Sequence, residues 1–428
     1  MKTFTFVDLF AGCGGFSLGL KNAGLTPIWA VEIDPDAVST YKNNLGDHIV
    51  LADISSINID EVPKADVLVG GFPCQPFSLS GLQNGFNGKN GDLFHQCVRF
   101  IQALEPKVFI LENVQGFLTL KNGQYLKHAL EILKSLGYHV SYKLLDAAEY
   151  GVPQSRKRLF LIGNKLGVEN LFPVGNSARI SVKEAIDDIR MNMGQFINNE
   201  PMRHTERIKK RFAAVRPGES ALDAMARDPS LGTAKITKQC YRRLYANLPA
   251  PTIVANFVTT TIHYEENRNL TAREAARIQS FPDDFVFLGR KTRMSWQKEL
   301  SQFEQIGNAV APKMAEALGG QVLKMLMGKS PSVVVSEQLD NNLYTQLSLD
   351  IPSSSETKND KGKRGRKSRF EDIYSTIESL SIGEKLQIPA TIDEAFFVFL
   401  EGAMHRRRIK YEVKKSINPE TLEFTRTT

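Results

Sequence analysis

The chain has 428 residues, 42% hydrophobic and 24% charged, a balance that excludes wholesale disorder and leaves room for one large core or two smaller ones plus an appended module. Its start, MKTFTFVDLFAG, lacks the basic segment and apolar run of a secretory signal, and no stretch reaches the roughly 18 apolar residues that span a bilayer, so a cytoplasmic protein without a membrane partner is expected. The formal charge is +7, and the stretch from Ala178 to Ala250, with 14 Lys and Arg against 8 Asp and Glu, carries most of the excess. Such a segment suits a polyanionic partner, although solvated faces often carry a similar surplus.

In chain order, short apolar runs at Phe4–Leu9, Pro27–Val31, Ile49–Ala52, Val67–Gly71, Val108–Glu112, Val140–Leu145 and Leu159–Gly163 read as strands. Helical patterns lie between several of them, at Phe16–Asn22, Pro35–Asn44, Asp92–Leu104 and Gln124–Leu136. Continuous apolar strands separated by helices predict a parallel sheet covered on both faces, a doubly wound α/β fold. From about Gly175 the rhythm stops, and a basic, proline-interrupted segment to about Thr260 reads as a second, smaller domain. Helical periodicity returns at Leu270–Ser280 and Asn308–Leu326, so the first and last segments are expected to share one domain. Residues 330–367, with Ser353-Ser354-Ser355 and the charge run KNDKGKRGRKSR, read as a linker. Beyond it, GEKLQIP, TIDEAFFVFLEGAMHRRR, IKYEVKKS and LEFTRT suggest a small β-α-β-β module.

A glycine cluster, Gly12-x-Gly14-Gly15, stands where the first strand gives way to the first helix, where small residues let backbone approach a ligand. A dinucleotide fingerprint would place glycine at position 17, which is Ser17 here. Glu32 ends the next strand, where an acid can accept ribose hydroxyls, and Asp53 follows the third, where an adenine amino group could bind. Together they imply an adenosine-type cofactor without distinguishing which, and a nicotinamide cofactor also fits.

The stretch GGFPCQPFS is less easily explained by such a cofactor. Cys74 follows the strand Val67–Gly71 directly, framed by Pro73 and Pro76, so its thiol is presented at a defined angle on the carboxyl edge of the sheet. The other cysteines, Cys13, Cys97 and Cys240, share no metal-type spacing with it or with each other, and no metal is expected. Cys13 and Cys97 read as packing residues. A glycine-rich run, GLQNGFNGKNGD, then suits a loop that closes over substrate. Glu112 ends the strand after it, and Arg156 and Arg158 stand at alternate positions, facing one side if that segment is extended. Thiol, carboxyl and two guanidiniums form a constellation for nucleophilic catalysis, while Glu112 by itself is equally consistent with a structural ion pair.

The strings DLFAGCGG, VEIDPDA, DIS, GGFPCQPFS, GDLF, LENV, QSRKRLFLIG, LTAREAARIQSFP and QIGNAVAP, in this order from about Thr5 to Met325, resemble the DNA (cytosine-5) methyltransferases. The resemblance implies a Rossmann-like domain that uses S-adenosyl-L-methionine, built from residues 1–174 and 263–329, with a target-recognition domain inserted at 175–262. The module at 368–428 has no counterpart in the family core. Phe10, Gly12, Gly14, Glu32, Asp53, Ile54, Pro73, Leu93, Asn308 and Val310 would surround the cofactor. Cys74 would be the nucleophile, and Glu112, Arg156 and Arg158 would contact the cytosine. Ser80 would enter the space left by the flipped base, and basic residues of 175–262 would bind DNA. The implied reaction adds Cys74 to C6 of a cytosine swung out of duplex DNA, transfers methyl to C5 and then releases the thiol. A monomer acting on double-stranded DNA is expected, with a cognate restriction endonuclease as a further partner.

The rival within this chemistry is a tRNA cytosine-5 methyltransferase of related fold, whose members usually carry Pro-Pro-Cys where this chain has Phe72-Pro73-Cys74. A catalytically silent DNA-binding protein and a nicotinamide oxidoreductase are the rivals from other classes. Two positions depart from the family pattern: Ala309 where Ser is frequent, and Tyr264 where proline is common.

Overall fold

A computed structural model describes residues 3–73, 93–175, 177–232, 240–255, 260–292, 298–331, 385–389, 411–415 and 421–426. The chain forms two units, residues 1–336 and 337–428. In the first, β1 (Thr5–Leu9), α1 (Gly15–Asn22), β2 (Thr26–Glu32), α2 (Pro35–Leu45), β3 (Ile49–Leu51), β4 (Val67–Gly71), α3 (Leu93–Leu104), β5 (Val108–Val114), α4 (Gln124–Ser135), β6 (His139–Asp146) and β7 (Lys157–Asn164) follow one another. Each expected strand and helix of this stretch is present, within two residues at either end.

The seven strands form one sheet in the order β3-β2-β1-β4-β5-β7-β6. The expectation of a wholly parallel sheet is corrected here: β7 runs antiparallel to both β5 and β6. A strand buried on both faces is a continuous apolar run whichever way it points, so its direction leaves no mark in the sequence.

Alternate side chains of the central strands feed two cores. Leu68, Phe109 and Leu111 pack with α3 and α4 on one face. Val67, Val69, Val108 and Ile110 pack on the other with α1 and with the helix that returns late in the chain. That helix is α10 (Pro312–Leu326), preceded by α8 (Ala272–Ile278) and α9 (Gln302–Asn308). Proline opens α10, and side-chain capping boxes, Thr271 with Glu274 and Ser301 with Glu304, open α8 and α9. Helices α1 and α10 cross backbone to backbone: a Cβ on Gly19 would stand 2.3 Å from the Pro312 carbonyl oxygen and 2.4 Å from the Ala315 Cβ. The two ends of the methyltransferase-like stretch are thereby one body.

The segment 175–262 has two parts. Its first helix, α5 (Val182–Met191), buries Val182, Ile186 and Ile189 in the core built by α8, α9 and Phe281–Phe287. Tyr264 reinforces this contact; its hydroxyl donates to Asp187 of α5 and its ring stacks on His263. Farther on, α6 (Glu206–Ala213), α7 (Ala221–Arg227), β8 (Arg242–Arg243) and β9 (Thr261–Ile262) enclose a small core of Phe212, Val215, Ala224, Leu231 and Ile262. Buried Arg243 ties this second part to the chain that follows it, donating to the carbonyls of Phe212, Val215 and His263. In the second unit, β10 (Lys385–Pro389), β11 (Tyr411–Lys415) and β12 (Thr421–Arg426) form an antiparallel sheet with β12 central. The helix expected between β10 and β11, like the linker before them, lies outside the described residues.

Ser17 in place of glycine has a physical reason. Its hydroxyl donates to Asp8 Oδ2 at 2.6 Å and accepts from the Tyr41 hydroxyl at 2.9 Å, which also shares a hydrogen bond with His48 Nε2 at 3.0 Å. Burial of Asp8, 1% exposed, outweighs the Ser17 hydrogen bond and lifts its carboxyl to about 7.

Two outcomes follow from this packing. Gly19→Ala should lower unfolding free energy by about 1–3 kcal/mol, the usual range for overpacking a tight contact, read as a lower midpoint in denaturant. An unchanged midpoint would mean that α1 and α10 can separate at no cost. Because folded Asp8 holds its proton more tightly than the unfolded chain, its contribution is complete below about pH 4 and is lost as pH rises through about 7. Relative to the parent, Asp8→Asn should therefore gain stability between those values; a pH-independent difference would contradict the burial argument.

Candidate active site

The turn after β1, the ends of β2 to β5 and the start of antiparallel β7 meet at one edge of the sheet around a cavity of about 610 Å³. Phe10, Gly12, Glu32, Asp53, Ile54, Pro73, Leu93, Asn308 and Val310 all line it, as do Glu112, Arg156 and Arg158. Gly14 does not: it caps α1 at φ 96°, and a Cβ there would stand 2.4 Å from Leu45 Cδ1, so it serves the contact between α1 and α2. Cys74 and Ser80 lie outside the described residues, and Pro73, just before the cysteine, is on the cavity wall.

The glycine turn and Glu32 form one piece of machinery. Gly12 has φ 55°, and a Cβ added there would meet nothing within 4 Å, so its backbone faces open cavity. Its amide donates to Glu32 Oε2 at 2.8 Å, while the Ile33 and Asp34 amides donate to Oε1 at 2.9 and 3.0 Å. Burial pushes the Glu32 carboxyl up and these three amides pull it back. The carboxylate is thus fixed in orientation before any ligand arrives. Asp53, on the rim, accepts from the Ser55 amide and hydroxyl at 2.9 and 2.8 Å, which holds its carboxyl below the usual range.

Glu112 and Arg158 meet because β7 is reversed. Parallel strands present their carboxyl ends at this edge, and only an antiparallel strand presents its beginning there. Arg158 Nε lies 3.0 Å from Glu112 Oε1, with side chains 14% and 12% exposed. Burial pushes the Glu112 carboxyl up, opposed by Arg158 and then Arg156. A carboxyl so placed can hold a proton at one oxygen while the other faces a guanidinium.

Arg156 behaves differently from its neighbour. Nη1 donates to the Ile253 carbonyl at 2.9 Å, and Nη2 to those of Gly307 and Ala309 at 3.0 and 3.1 Å. Its terminal nitrogens therefore hold two late segments of chain against the cavity; Nε has no hydrogen-bond partner among the described residues. Gln154 adds to this clamp, accepting from the Ile253 amide at 2.6 Å and donating to Gln279, which donates in turn to the Ile306 carbonyl. Sequence reading missed Gln154 and Gln279; the available signal was that both stand in the matched strings, QSRKR and RIQSFP. It also missed Asp8, which lines the cavity. Asn113 Nδ2 donates to the Phe72 carbonyl at 3.0 Å, fixing the chain two residues before Cys74.

Cys13 also lines the cavity, but its thiol is buried and pushed up to about 12, so it remains protonated. Cys97 is fully buried among the apolar residues beneath α3. Among the described residues no group of His, Cys, Asp and Glu could hold a metal ion, and no helix is long and apolar enough to cross a membrane.

Residues 4–324 match the family described as C-5 cytosine-specific DNA methylase. The type II methyltransferase M.DdeI of Desulfomicrobium norvegicum is 37% identical over 80% of this chain and 95% of its own length. The type II methyltransferase M1.HphI of Haemophilus parahaemolyticus is 36% identical over 76% of this chain and 87% of its own. Among solved structures, a DNA modification methyltransferase encoded within an Escherichia coli prophage superposes with a TM-score of 0.58 at 26% identity, covering 76% of this chain and all of that one. The sheet, the cavity at its carboxyl edge and these matches lead to one conclusion: the chain belongs to the C-5 cytosine-specific DNA methylase family and is a DNA (cytosine-5) methyltransferase whose methyl donor is S-adenosyl-L-methionine.

Proposed function

We propose that the chain modifies one cytosine within a specific duplex sequence, with Cys74 as nucleophile and Glu112, Arg158 and Arg156 around the extruded base. The observation that carries this reading is the partly buried Glu112–Arg158 pair, at 3.0 Å, in the same cavity as the Gly12–Glu32 turn. The cavity suits the donor in size and in kind. About 610 Å³ lies within the usual range for small-molecule sites, and open backbone at Gly12 leaves room for a ligand. Glu32 would accept the ribose hydroxyls, Asp53 and Ile54 would hold the adenine, and Phe10, Pro73, Leu93, Asn308 and Val310 would enclose the methionine end. S-adenosyl-L-methionine supplies an electrophilic methyl group.

Cytosine C5 needs electron density before it can accept that group. Addition of the Cys74 thiolate to C6 breaks the C5–C6 π bond and leaves the pair available at C5. Glu112, whose carboxyl burial favours in its protonated form, would donate to ring N3 and neutralise the charge that develops there. Arg158 would hold Glu112 in place from Oε1. Once the methyl group is on C5, loss of the C5 proton restores the π bond and expels the thiolate.

The segment 175–262 would be the target-recognition domain between catalytic segments 1–174 and 263–329. Exposed Arg203, Arg207, Lys210 and Arg216, on and around α6, supply charges for phosphates. Residues 330–367 would serve as a linker to the module at 368–428. As a type II modification enzyme the chain would act as a cytoplasmic monomer beside a cognate restriction endonuclease.

Bisulfite sequencing of DNA from cells expressing the chain should show methylated cytosine in a single sequence context, and Cys74→Ser should reduce this to background. Methylation found only in tRNA would overturn the reading. With purified protein, Glu112→Gln should lower turnover by about 10²–10⁴-fold while DNA affinity is retained, since a general acid is lost and no phosphate contact is. Full activity in that variant would remove Glu112 from the chemistry.

A further inference from the structure

One wall of the cofactor cavity is a single short turn beside an edge strand. Asp53 and Ile54 follow β3, an edge strand of three residues whose Val50 and Leu51 are exposed. They lead into a single turn, Ile54–Ser56, closed by the Ser56 amide on the Asp53 carbonyl at 2.9 Å and by a longer bond, 3.4 Å, from Ile57 to Ile54. Asp53 also accepts from the Ser55 amide and hydroxyl, and buried Ile54 seats the turn in the core, but neither contact ties its carbonyls to another element.

Arg99 supplies the missing anchor from another element. It stands on α3, and its Nη2 donates to the Ile54 carbonyl at 2.7 Å while Nη1 donates to the Ile57 carbonyl at 3.3 Å. The guanidinium carbon lies 5.1 Å from the centre of the Phe100 ring, and that ring packs on Trp29 of β2. A charge-assisted pair of hydrogen bonds from a half-buried arginine thus ties the turn to the helix whose first residue, Leu93, lines the same cavity. Among the described residues Arg99 has no carboxylate partner, so backbone carbonyls are what its charge faces.

We infer that Arg99 is a positioning residue for the cofactor, clamping the Asp53–Ile57 turn so that the adenine end of the site is preformed. This rests on the placement of adenine at Asp53 and Ile54 given above. Removing the clamp frees the turn, so ligand binding must order it first, and affinity falls without any change in the reacting groups.

The test uses the full chain with S-adenosyl-L-methionine and with adenosine as separate probes. Arg99→Met should weaken both by roughly tenfold, the loss expected for a charged hydrogen-bonding group, with turnover at saturating donor and the KM for DNA within about twofold of the parent. Arg99→Lys, which keeps charge and one donor, should recover part of the loss and guards against a misfolded first variant. Unchanged donor affinity in both variants would overturn the clamp, as would an equal fall in turnover and DNA KM. Asp53→Ala separates the two readings. If it leaves adenosine binding intact, the adenine placement itself fails; if it weakens adenosine while Arg99→Met does not, only the clamp fails.

Discussion

A carboxyl group taken from water needs compensation: Glu32 finds it in three amides, and Glu112 in a guanidinium that is there only because β7 is turned against the strand beside it. That pairing constrains much else. It requires β5 and β7 to be neighbours, with Val114 opposite Arg158 in register. It also places a protonatable oxygen and a guanidinium at the one edge of the sheet where the glycine turn, Glu32 and Pro73 already lie. The charged centre and the ligand cavity are therefore consequences of one strand order.

Closure of the cavity depends on chain that arrives much later. Helix α10 reaches α1 through the notch at Gly19, and Gly307 lets the 307–310 segment lie against Val254 and Ala255, with a virtual Cβ only 2.4 Å from the Ala255 amide. Arg156 and Gln154 then hold both late segments by their backbone groups. A buried guanidinium satisfied by carbonyls is costly to disturb, because losing one arm strands both a charge and an acceptor. Its depressed pKa, about 9 under the weight of burial, reflects the same desolvation. The cavity floor is thus set by rigid, charge-backed contacts, whereas its rim at Asp53–Ile57 is one turn, seated in the core by Ile54 and tied to α3 by Arg99.

Much of this was legible beforehand, and the reasons are specific. Strands β1, β4 and β5 are mostly apolar because both faces are covered, with Asp8, Glu112 and Asn113 as charged or polar exceptions, so composition exposed them. Gly12 and Glu32 could be paired by spacing, since a strand, a turn, a helix and a second strand return the chain to its neighbour. Gly14 could not be separated from Gly12 in that way. Both have positive φ, but only packing shows that one faces open cavity and the other Leu45. Arg156 and Arg158 were likewise indistinguishable as alternate residues of one segment; their different partners come from Glu112 on one side and from residues 253–309 on the other.

From its sequence alone the chain is legible as a doubly wound α/β protein with a cysteine directly after its fourth strand, a glycine cluster after its first and an acid ending its second. Local periodicity, turn chemistry and ordered motifs act over a few residues and are written in them. Tertiary structure alone decided that β7 is reversed, that Ser17 completes a buried bond to Asp8, that Arg156 clamps backbone while Arg158 holds Glu112, and that Arg99 steadies the rim. Each of these depends on which distant groups share a desolvated space, and burial, not spacing, sets that pairing.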